Sequence, residues 1–151
     1  MAGKTLAEIA DTIRDIDFCQ FATKTDNGQI AARPMSNNTQ VDYNGDHWFF
    51  SKDTSRTCSD IQRDPAVTLT YHGSAGVLGV VGKPGPMVVI QGSAEVVRDK
   101  EVFRAHWVPE LEFWFENGID DPQMVMFRVR ANRINFWDGM ETEEIEVTQR
   151  R

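Results

Sequence analysis

The sequence predicts a mainly β, α+β fold: six or so antiparallel strands curled into a barrel, with short helices at its flanks. Three observations point there. Apolar residues alternate with polar ones along much of the chain, in runs such as Val67, Leu69 and Tyr71, or Val125, Phe127, Val129 and Ala131. Tight turn signals, Asp26-Asn27-Gly28 and Asn44-Gly45, join the early runs, as they do in antiparallel hairpins. The regular strand–helix alternation of a doubly wound parallel sheet is missing. Closing the sheet would remove its exposed edges, so closure is expected.

The elements follow in order. Thr5-Leu6-Ala7-Glu8 reads as a capping box, and Leu6, Ile9, Ala10 and Ile13 recur at helical spacing. An amphipathic helix is therefore expected over 5–16. Strands are expected over 18–25 and 29–37, then over 39–43 and 46–51. A short helix over 54–63 stops at Asp64-Pro65, because proline cannot continue it. The next strand covers 66–71. Residues 72–86 are rich in glycine and hold two prolines, Pro84 and Pro86, so they read as a loop. Val88, Ile90, Ala94 and Val96 share one face of a long strand over 87–98. Gly92 in its middle marks a bulge or a close backbone approach. Residues 99–116 read as one or two helices broken near Pro109. Asp120-Asp121-Pro122 is a turn, and 124–137 is the last long strand. The tail after Gly139 is acidic and then basic, and is expected to be loosely held.

The bulk numbers narrow the function. The chain has 151 residues, 40% hydrophobic and 26% charged, which suits one domain over 1–151 with a proper core. A net charge of −7 argues against a non-specific nucleic-acid binder, which needs broad positive surface. No run approaches the ~18 apolar residues of a membrane span, and the start does not resemble a signal peptide, so a cytoplasmic home is expected. Cys19 and Cys58 are too few for a disulfide scaffold and read as reduced, buried thiols. His47, His72 and His106 fall at no zinc spacing, and no metal is expected.

Against that acidic background, two arginines stand out. Arg33 lies in Ala31-Ala32-Arg33-Pro34-Met35-Ser36, on a strand whose proline removes a ladder donor. It is either an edge-strand arginine in solvent or a group free to meet a ligand. Arg56 lies in Phe49-Phe50-Ser51-Lys52-Asp53-Thr54-Ser55-Arg56-Thr57, where a helix begins. Hydroxyls at such a position serve as N-caps or as donors to an anion. An arginine beside them offers a planar fork suited to phosphate oxygens. Together, on strands expected to be adjacent, the two stretches point to a phosphate site. Aromatic residues could complete it. Trp107, at a helix end before a proline, is either core or a ring that covers a flat ligand. Phosphate loops and nucleophile elbows are not found, and Val77-Leu78-Gly79 and Gly82-Lys83-Pro84-Gly85 read as loop.

The order of these motifs resembles the split-barrel flavin-binding proteins related to pyridoxamine 5′-phosphate oxidase, in particular the bacterial general stress proteins of that superfamily. The resemblance runs over about residues 5–138. It rests on Gly28 through Arg33-Pro34-Met35, Trp48-Phe49-Phe50-Ser51, Ser55-Arg56-Thr57, Ile61, Asp64-Pro65-Ala66-Val67, Tyr71, Gly92-Ser93-Ala94, His106-Trp107 and Phe136-Trp137. It implies an FMN cofactor held at a homodimer interface. Arg33, Pro34 and Met35 would line the phosphate and ring edge, with Phe50 and Ser51 along the polar side of the flavin. Ser55, Arg56 and Thr57 would hold the phosphate, and Trp107 would come from the partner subunit. The implied activity is that of a flavin-dependent oxidoreductase. The alternatives are a non-catalytic flavin-binding module, or a split barrel using a deazaflavin or haem. Two departures matter. Thr57 stands where family members often carry a lysine, which removes one phosphate cation. The arginine- and histidine-bearing C-terminal segment of the true oxidase is missing, so oxidation of pyridoxamine phosphate is not expected.

Overall fold

The computed structural model describes residues 3–42, 44–73 and 85–147. Thr5 opens helix α1 (Leu6–Arg14), its hydroxyl accepting the N–H of Glu8 at 3.1 Å, and Ile9, Ala10 and Ile13 are buried. Strands β1 (Phe18–Lys24) and β2 (Ile30–Ser36) form the first hairpin, turned at Gly28, whose φ of +80° favours glycine. Strand β3 (His47–Lys52), helix α2 (Arg56–Arg63), β4 (Ala66–His72) and β5 (Met87–Val97) follow. After α3 (Lys100–His106) the chain makes a 3-10 turn over Pro109–Phe113, since the proline starts a new turn rather than extending the helix. The fold ends with β6 (Met124–Asp138) and β7 (Glu141–Glu146).

The strands form one seven-stranded sheet in the order β2-β1-β4-β5-β6-β3, with β7 also on β6. All of these pairings are antiparallel. On the side of β6 away from β5, β3 takes Met124–Val129 and β7 takes Arg133–Asp138. The ladder does not close: β2 and β3 stand at its two ends. The sheet is nonetheless curled, because Phe21 on β1 meets Phe49 on β3 edge-to-face at 5.1 Å. The result is a split barrel.

The split barrel is the one the resemblance implies. Three expectations change. The Arg33 and Arg56 stretches are not on adjacent strands. The expected strand over 39–43 is reduced, among the described residues, to a single bridge between Val41 and His47. Asn38 and Thr39 both take positive φ, which breaks an extended run before it starts. The tail is not loose over Glu141–Glu146, because it pairs with β6 and carries Glu144 and Glu146 to Arg133. The 72–86 loop lies largely outside the described residues.

The main core fills the curl. Val67, Leu69 and Tyr71 of β4, Val88, Ile90 and Ala94 of β5, and Val125, Phe127, Val129 and Ala131 of β6 all join it. The inward set on β6 then switches parity, to Ile134 and Phe136. The cause is a register shift: Gln91 faces Arg133 while Gly92 faces Ala131, leaving Asn132 as the extra residue. A Cβ on Gly92 would lie 2.5 Å from the Arg130 carbonyl oxygen, so only glycine fits. A second cluster covers the other face of β3 and the start of β6, with Phe50, Phe103, Leu111, Phe115, Met124 and Met126.

Candidate functional site

A cavity of about 640 Å³ opens between β2 and β3, the two end strands of the ladder. One wall comes from β2 and the chain beside it: Pro34, Met35, Ser36 and Asn38, with Phe18 from β1. The opposite side carries Phe50, Ser51 and Lys52 of β3, then Thr54 and Ser55 leading into α2. Leu111, Trp114 and Phe115, from the segment after α3, close the apolar end. The volume lies within the roughly 300–1,000 Å³ of small-molecule sites.

The start of α2 shapes the polar end. Ser55 is the N-cap, and its Oγ accepts the N–H of Cys58 at 3.1 Å. The Ser51 hydroxyl lies 3.3 Å from it. Helix geometry leaves the N–H groups of Arg56 and Thr57 without intrahelical acceptors, at the positive end of the dipole. Arg56 is exposed and Thr57 is buried, and neither is among the residues lining the cavity. The Ser55 hydroxyl therefore caps the helix while it meets that of Ser51.

Arg33 has a different setting. It is not among the residues lining the cavity. Its Nη1 donates to the Phe21 carbonyl at 3.2 Å and to the Thr23 hydroxyl at 2.7 Å, and Nη2 lies 3.6 Å from Asp60 of α2. Thr23 passes the chain on, donating to the same Asp60 oxygen at 2.7 Å. Asp60 is 5% exposed, so the relay is largely shielded from water. Its effect is to tie β1 and β2 to the helix whose start forms the polar end of the cavity.

Trp107 also stands behind the cavity wall rather than on it. Its ring meets Phe50 edge-on at 5.6 Å and Phe115 at 6.4 Å. Of the residues singled out from sequence, the fold thus brings Pro34, Met35, Phe50, Ser51 and Ser55 together on one cavity surface. Lys52, Trp114 and Phe115 were not picked as site residues, though all three line it. The signal available was an aromatic cluster just after the Pro109 break.

Other titratable groups are structural. His47 is fully buried, and burial pulls its pKa down to about 4, against the pull of the Gly45 carbonyl bonded at Nδ1. Burial pushes the Cys19 thiol up to about 12, and burial also raises Cys58. Among the described residues no group of three His, Cys, Asp or Glu side chains could hold a metal. No helix there is long and apolar enough to cross a membrane.

The molecule has recognisable kin. A family model described as "Pyridoxamine 5′-phosphate oxidase like" matches residues 4–149. A protein of Clostridium acetobutylicum related to general stress protein 26 superposes with a TM-score of 0.78 at 16% identity, covering 94% of each chain. General stress protein 26 of Bacillus anthracis gives 0.69 at 16% identity, over 93% of this chain and 98% of its own. A heme-binding protein of Mycobacterium smegmatis gives 0.71 at 17%, over 97% of this chain and 60% of its own. These likenesses show a shared fold. No curated protein matches the chain in sequence.

Proposed function

This chain belongs to the pyridoxamine 5′-phosphate oxidase like family, and on that premise we propose that it is an FMN-binding protein acting as a flavin-dependent oxidoreductase. The observation that carries the reading is the cavity between the two end strands, apolar on its walls and rich in hydroxyls at a helix start. A flavin has those two halves: a flat ring and a phosphate. Phe50, Met35 and Pro34 suit the ring. Ser51, Ser55 and the free N–H groups of α2 suit the phosphate, with Arg56 as its cation. Arg33 supports the site from behind, holding β2 on α2 through Thr23 and Asp60. Trp107 stiffens Phe50.

When bound, FMN supplies the redox chemistry. The protein's part is to bind and orient it and to keep water off the ring. The exposed Phe18 and Phe113 at and near the rim suit cover by a second copy, so the working form is proposed to be a homodimer. Haem is the weaker fit, because iron needs a His, Cys, Met or Tyr ligand and the lining offers only Met35.

The test is an absorption spectrum of the purified protein titrated with FMN. The expected result is a saturable shift of the flavin bands, then bleaching of the bound flavin by NADH or NADPH. A flavin spectrum identical to that of free FMN would refute the reading. Flavin that binds but resists both reductants would leave a binding module rather than an oxidoreductase.

A further inference from the structure

Beyond the β2 and β3 walls that suit the flavin ring, the cavity has an aromatic pole formed by the segment after α3. Alternation along β3 sends Ser51 and Lys52 to opposite faces. Ser51 turns to the start of α2, where its hydroxyl meets that of Ser55. Lys52 shares the face of Trp48 and Phe50, toward the second aromatic cluster. Its Nζ lies 6.0 Å from the centre of the Phe115 ring. Both residues nevertheless line one cavity.

The charge at this pole is unusual. Among the described residues, Lys52 is the one ionisable side chain on the cavity lining, and no carboxylate accompanies it there. Among the described residues, no carboxylate forms an ion pair with it. A chain of net charge −7 has acids to spare, yet none among the described residues pairs with this ammonium. Beside it stand Leu111, Trp114 and Phe115, an apolar wall on which a flat body can lie.

We propose that the Lys52 pole is a substrate subsite for a flat, apolar-bodied carboxylate, with Lys52 setting the preference for the anion. The inference rests on the flavin reading: with the FMN phosphate at the α2 pole, the aromatic pole is the half open to a second molecule. Trp114 and Phe115 would hold the body of the substrate, and Lys52 its carboxylate.

The experiment uses the full chain loaded with FMN, and two probes of one shape, 2-naphthoate and its neutral analogue 2-naphthamide. Binding is read from quenching of the tryptophan and flavin fluorescence. The expected result is a preference of about tenfold or more for naphthoate, as one charge-assisted contact gives. Lys52→Met should abolish that preference, Lys52→Arg should keep it, and FMN affinity should change in neither. Equal binding of the two probes by the wild type overturns the inference and leaves the flavin reading standing. So does a Lys52→Met variant that keeps the preference, or one that loses FMN instead. A protein that takes up no FMN overturns both.

Discussion

At the scale of single residues, charge and burial decide the behaviour. His47 stacks on Phe49 in the core, with its Nε2 unpartnered. Its folded pKa, about 4, lies below the ordinary 6.5. A depressed folded value means that the unfolded chain takes a proton first as pH falls. The stability this histidine allows is complete above about pH 6.5 and is lost toward about pH 4. Between about pH 7 and about pH 5 the loss is about 2 kcal/mol. Urea midpoints at those two pH values should show it, and His47→Phe should remove most of the difference. The two arginines should also separate. Arg56→Ala should weaken FMN binding by more than about 1 kcal/mol and leave the urea midpoint unchanged, since Arg56 is exposed. Arg33→Ala breaks the relay to Asp60, so it should cost about 1–3 kcal/mol of stability as well as affinity. Equal loss of stability in both variants would contradict that division.

At the scale of elements, local patterns reported themselves well. The capping box at Thr5, the Gly28 turn and the alternation along β4 and β5 each stand where the chain's own chemistry puts them. Gly92 was legible as a bulge because a missing side chain in a strand needs a reason. Its reason is the Arg130 carbonyl, and Gly92→Ala should cost about 1–3 kcal/mol in thermal or urea unfolding. A neutral substitution would mean the bulge yields easily. Two elements were illegible for opposite causes. Glu141–Glu146 reads as a solvated acidic tail, because its partner is the side of β6 that long-range pairing supplies. Residues 39–43 read as a strand by composition, but two positive-φ residues in sequence forbid it. Half the site was readable on the same terms. Pro34, Met35, Phe50, Ser51 and Ser55 fall in motifs, while Lys52, Trp114 and Phe115 reach the cavity only through the packing of β3 against the segment after α3.

At the scale of the whole molecule, the exposed aromatic rim is the feature to explain. Phe18 is 54% exposed, Trp114 62% and Phe113 81%, more apolar ring than a lone acidic chain usually shows to water. Sedimentation of the wild type should give the mass of two chains. Phe113→Glu should shift it toward one, because a charge at a buried contact is costly. A wild type sedimenting as one chain at all concentrations would remove the dimer from the proposal. The missing seam between β2 and β3 has one more effect. A cylinder laced all the way round must break backbone bonds to admit a guest, whereas here the two margins can part with every ladder bond intact. Breathing of this kind is cheap and needs no unfolding. Amide deuteration should therefore run fast along the outer rim of β2 and β3, and slow sharply when the cavity fills. The amides of β4 and β5, laced on both sides, should scarcely register the arrival.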